Sequence, residues 1–177
     1  MVSAKTRASE VHFVTGSDEA AVRKAAVELA KELAPDADVF GLEVIDGAAD
    51  NVEAAIKALQ QASQALLTLP FLGGSKLVWL KNTSFLGDAG VGRSESVTGA
   101  LERLCEVLES GLPDGVSFLL SAPLADKRRT GYKLLTKLAT TAVYDLPNLG
   151  FRGDEEAIAE WTVVRARERG LQLRPDA

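Results

Sequence analysis

The sequence predicts an α/β protein with a mainly parallel five-stranded sheet flanked by helices. Two observations lead there. Short runs rich in β-branched, leucine and aromatic residues alternate with stretches of helical period. Strands that alternate with crossover helices pair in parallel, and both faces of such a sheet are covered.

The first strand runs from Val11 to Thr15, and in the helix after it Val22, Ala26, Leu29 and Leu33 fall on one face. A second strand, Val39 to Ile45, leads into a helix carrying Val52, Ile56, Leu59 and Leu66. The third strand is Lys76 to Leu80. A third helix, about Val97 to Glu109, buries Leu101, Leu104 and Leu108 and stops at Gly111-Leu112-Pro113. Val116 to Ser121 is the fourth strand, Lys127 to Ala139 the fourth helix with Leu134, Leu135 and Leu138, and Thr141 to Leu146 the fifth strand. Pro147-Asn148-Leu149-Gly150 reads as a linker. One more helix, about Asp154 to Arg169, follows it. A lone helix is not a domain, so the expected organisation is one domain over 1–147 and the beginning of a helical domain, truncated, over 148–177.

The chain has 177 residues, 46% apolar and 25% charged, enough for one core and a short appendage. Its net charge of −5 argues against wholesale coating of nucleic acid or anionic membrane and leaves room for a local basic patch. A single cysteine excludes an intramolecular disulfide, no signal-like run follows the polar N-terminus, and no stretch approaches the roughly 20 apolar residues of a membrane span. These features lead to the expectation of a cytoplasmic protein. One Cys and one His exclude a zinc site of the usual kind. His12, inside the first strand, reads as a satisfied core or edge histidine, and Cys105 as a small buried hydrophobe.

In such a fold the first strand-to-helix turn is where a phosphate sits. Here that turn is 14-VTGSDEAAVRKAA-26. Gly16 opens it, but Ala21 and Val22 stand where a second glycine and a phosphate-binding lysine are needed, and Asp18 and Glu19 bring negative charge. Ser17 is the expected N-cap. A second stretch, 87-GDAGVGRS-94, matches a phosphate loop except that Arg93 replaces the lysine. It does not leave its strand directly, and Asp88 would face the phosphates. A nucleotide-binding reading through Gly87–Ser94 stands as the alternative to a flexible connection. Lys127, Arg128 and Arg129, with Lys133 beyond them, form the one concentrated basic run, expected at a helix start where cations oppose the dipole and invite a partner's phosphates or carboxylates.

The corner 68-TLPFLGGSK-76 carries Phe71 and Leu72 where a surface turn is expected. Left in water, each forgoes roughly 1.5–3 kcal/mol of burial. Either they cap the domain's own core or they serve a partner.

Four segments in order resemble the delta subunit of the bacterial DNA polymerase III clamp loader. They are the Gly-Ser-Asp-Glu turn, the helix ending before L-P-F-L-G-G-S-K-L-V-W-L, the segment A-D-K-R-R-T-G-Y-K-L-L, and E-W-T-V-V-R-A-R-E-R-G-L-Q-L in the tail. The resemblance covers nearly the whole chain. It implies an AAA+/RecA-like first domain that binds no ATP and no cofactor or metal, performs no catalysis itself, and holds the sliding clamp (the beta subunit) open for processive replication within the holoenzyme. A helical lid and a collar follow in the family. The collar, absent from this chain, joins the gamma/tau and delta prime subunits, and primer-template DNA is reached through the complex. At the corner, Phe71 and Leu72 would plug a pocket on the clamp, Pro70 would fix the approach, and Leu66 and Leu67 would lever against it. Lys127, Arg128, Arg129 and Lys133 become candidate contacts to DNA or an acidic partner.

Overall fold

The computed structural model describes residues 10–34, 41–70, 74–88, 90–147, 155–168 and 170–171. The elements are β1 (Val11–Gly16), α1 (Glu19–Leu33), β2 (Leu42–Asp46), α2 (Val52–Leu66), β3 (Lys76–Lys81), α3 (Glu95–Glu109), β4 (Val116–Pro123), α4 (Thr130–Leu138), β5 (Thr140–Val143) and α5 (Glu155–Glu168). A short 3-10 turn, Gly90–Arg93, precedes α3. The chain divides into two compact units, Met1–Tyr144 and Asp145–Ala177.

In the first unit the strands form one sheet of order β2-β3-β4-β1-β5, all pairs parallel. The order settles which helix covers which face. The path from β1 to β2 crosses the sheet in one direction, and every later step runs in the other. Right-handed crossovers therefore put α1 on one face and α2, α3 and α4 on the opposite one. The two cores agree. Val14, Leu77, Trp79 and Leu119 pack with Val22, Ala26 and Leu33 of α1. Phe13, Val78, Leu80, Phe118 and Leu120 pack with α2, α3 and α4. Adjacent strand residues thus point to opposite faces, and because both faces are covered β3 and β4 are buried almost throughout.

Some boundaries and faces differ from the periodicity. The N-cap of α1 is Asp18, whose Oδ1 accepts from the Ala21 N–H at 3.0 Å, in place of Ser17. An ionised cap also meets the positive end of the helix dipole. Along α2 the buried face is mostly small: Ala55, Ala58, Ala62 and Ala65 lie with Leu59 and Leu66, while Val52 is exposed. Helix α4 starts at Thr130, so Lys127, Arg128 and Arg129 precede it instead of forming its first turn. The Asp126 carboxylate accepts the Arg128 N–H at 3.0 Å and holds that stretch as a turn. The fifth strand ends at Val143, short of the expected Leu146.

In the second unit, α5 ends in a Schellman-type closure: Leu171 N–H donates to Ala166 O at 2.8 Å and Gly170 N–H to Arg167 O at 2.9 Å, with Gly170 at φ 70°. The Arg165 guanidinium lies 5.7 Å from the centre of the Trp161 ring.

Candidate functional site

Strand β1 sits between β4 and β5, and the connections leaving β1 and β4 go to opposite faces. Their carboxyl ends therefore flank the switch point where a doubly wound fold binds its ligand. In this chain backbone from the end of β5 closes over the turn that leaves β1. The Tyr144 N–H donates to Thr15 O at 2.8 Å, and Tyr144 O accepts from the Asp18 N–H at 3.0 Å. Gly16, at φ 143°, lies so close to the Tyr144 peptide that a Cβ would overlap the Tyr144 carbonyl. Three N–H groups of that turn are engaged: Asp18 N–H by Tyr144, Ala21 N–H by the Asp18 side chain, and Val22 N–H by Asp18 O at 2.9 Å.

The two other charged features of the sequence come together. Asp88, from the loop resembling a phosphate loop, accepts from Arg93 Nη2 at 3.3 Å and from Arg128 Nη2 at 3.2 Å. Its Oδ1 lies 3.9 Å from Arg129 Nη1. Arg128 also grips Asp126, at 2.9 Å through Nε and 2.8 Å through Nη2. Those hydrogen bonds hold the Asp126 carboxyl down to about 2 and push Arg128 further up. Asn82 to Leu86 separate the loop from β3. Gly92 packs so that a Cβ would collide with Gly87 O. Arg93 is thus turned onto a carboxylate. A cleft of about 570 Å³ lies alongside, lined by Phe85, Val97, Thr98 and Tyr132 among others. Lys127 and Lys133 are exposed beyond it.

The third region is the end of α2. Leu66 is fully enclosed in the core, so it serves the domain's own packing and is not available as a lever. Leu67 is 61% exposed and Leu69 is 70% exposed, with Pro70 partly buried beside them. Phe71 and Leu72 lie outside the described residues. Leu69 was not singled out by the sequence reasoning. The signal was present: Leu66 belongs to the stripe of Leu59, which turns the next leucine off the buried face, and Leu69 follows the end of the helix just before a proline. The corner is pinned at its root by Lys76, whose Nζ donates to Ala65 O at 2.9 Å and pairs with Glu43 Oε2 at 2.8 Å.

The remaining candidates are structural. His12 Nε2 is 2.8 Å from Glu10 Oε2. Cys105 is buried, and burial first, then Glu102, Glu109 and Glu106, pushes its thiol up to about 11, far from a reactive thiolate. Among the described residues no group of His, Cys, Asp and Glu could hold a metal ion. Among them too, no helix is long and apolar enough to cross a membrane.

Strand order and helix distribution define the class: an α/β domain built on a parallel five-stranded sheet covered by helices on both faces. The chain belongs to the DNA polymerase III delta subunit family, whose model matches residues 12–144. Two solved structures share the fold. The Bacillus subtilis DNA clamp loader delta protein superposes with a TM-score of 0.56 at 21% identity, over 92% of this chain and 44% of that one. A DNA polymerase III gamma subunit-related protein of Thermotoga maritima gives 0.52 at 17% identity, over 81% of this chain and 43% of that one. The chain therefore spans less than half the length of either. No curated protein sequence matches it.

Proposed function

We propose that this chain is the clamp-engaging part of a delta-type clamp loader subunit, which binds the sliding clamp and holds it open without hydrolysing ATP. The observation that carries the reading is the pair of leucines at the end of α2, Leu67 at 61% and Leu69 at 70% exposure, in the corner that the family resemblance assigns to the clamp. Each such side chain gains roughly 1.5–3 kcal/mol on burial. A few apolar anchors on a turn between rigid elements make an effective hot spot, because little ordering is lost on docking. The docking set is Leu67, Leu69 and Pro70 with Phe71 and Leu72. The absence of ATP chemistry is supported by the first turn, whose donors are engaged by Tyr144 and Asp18.

The second unit, Asp145–Ala177, is then the opening of the helical lid. Assembly with gamma/tau and delta prime, and access to primer-template DNA through the complex, belong to the full-length protein.

Titration of the cognate sliding clamp tests the reading. The chain is expected to bind it. The double change Phe71→Ala, Leu72→Ala, and separately Leu69→Ser, are expected to weaken binding at least about tenfold with the melting temperature unchanged. Melting that collapses while affinity holds would reassign these residues to the domain's own core.

A further inference from the structure

We propose that Lys76 is the positioning residue of the docking corner: its ammonium, held between the last turn of α2 and Glu43 of β2, sets the direction in which the chain leaves the helix. This rests on the docking reading above and says how the corner is presented.

The last carbonyls of a helix have no partner inside it, and they form the negative end of its dipole. The last turn of α2 contains no basic residue. A cation from β3 takes that place. Lys76 Nζ donates to Ala65 O at 2.9 Å and to Glu43 Oε2 at 2.8 Å, while the Lys76 backbone N–H is bonded to Gly115 O at 2.7 Å. One side chain therefore ties β2, α2 and β3 together at the base of the corner. The Thr68 N–H reaches the same Ala65 carbonyl at 3.2 Å, so the first step out of the helix shares the acceptor that Lys76 holds.

The Lys76 side chain is only 8% exposed, and Glu43 about half. An ammonium so enclosed is costly unless fully partnered, and an apolar side chain of similar volume at such a site is often neutral or even stabilising. Stability alone does not call for a lysine here. What a methionine cannot do is select one carbonyl and one carboxylate, and so fix where α2 ends relative to the sheet. Leu67 and Leu69 stand just beyond that point. Anchors already held in the docking direction lose less freedom when they bind.

The test measures affinity of the full chain for the sliding clamp, beside the melting temperature of each variant. Lys76→Met is expected to melt within a few degrees of wild type and to bind at least about fivefold more weakly. Lys76→Arg, which keeps a charged donor in reach, is expected to recover affinity to within about twofold. Hydrogen exchange at the Leu67 and Thr68 amides is expected to quicken in the free methionine variant and not in the arginine one. Should Lys76→Met fail to fold, Glu43→Gln replaces it: an intermediate loss of affinity on an intact fold supports the role, and full-strength binding overturns it. Wild type that binds no clamp overturns the docking reading and this proposal with it. Wild type that binds and a methionine variant that equals it, or an arginine variant no better than methionine, overturns only the role of Lys76.

Discussion

At Gly16 the absence of a side chain decides what the first turn can hold. The Tyr144 peptide occupies the volume a Cβ would need, and φ of 143° is a conformation other residues rarely adopt. Gly16→Ala is therefore expected to cost on the order of 3 kcal/mol and to lower the melting temperature by roughly 10 °C in a thermal scan. That the first turn lacks the second glycine and the lysine of a phosphate loop was legible from Ala21 and Val22 alone. The closure over it was not, because nothing in local pattern ties Tyr144 to a glycine so far away in the chain. Leu69 shows the complementary limit: the proline and glycines mark the corner, whereas which leucine faces water depends on how the helix rolls onto the sheet.

The end of α2 and the start of α4 show how elements depart from their periodic outline. Four alanines on the buried face of α2 let the helix approach the sheet and α3 closely, and a hydrophobic-stripe template that favours large residues underweights them. At α4 the three cations stand just before the helix, with Arg129 at the N-cap, and the carboxylates of Asp126 and Asp88 offset Arg128 and Arg129 there. Arg128 and Arg129 then face Asp88, while Lys127 and Lys133 are exposed, and the run stands as a candidate for phosphate contact. In the assembled loader, Lys127→Glu with Lys133→Glu is expected to weaken primer-template DNA binding about tenfold at moderate salt. The dependence of log affinity on log salt should become shallower by about two, with clamp affinity unchanged. Unaltered DNA affinity would assign the run to solvent.

For the molecule as a whole, the alternation of strands and helices was readable and the order of strands was not. Periodicity identifies a parallel sheet; it does not say that β1 lies between β4 and β5. That placement requires the long connections and the handedness rule taken together. Once known, it identifies the switch point, beside the first turn whose N–H groups Tyr144 and Asp18 engage. A fluorescent ATP analogue with magnesium is accordingly expected to show no saturable binding up to millimolar concentration, and micromolar binding abolished by Arg93→Ala would restore the nucleotide reading through Gly87–Ser94. The same central placement of β1 has a consequence during synthesis. Within this sheet β1 is made before any of its neighbours, and β4 emerges about a hundred residues later, on the order of 5–20 s at ordinary elongation rates. Throughout that interval its apolar Phe13 and Val14 must be sheltered by nascent-chain collapse or by a chaperone.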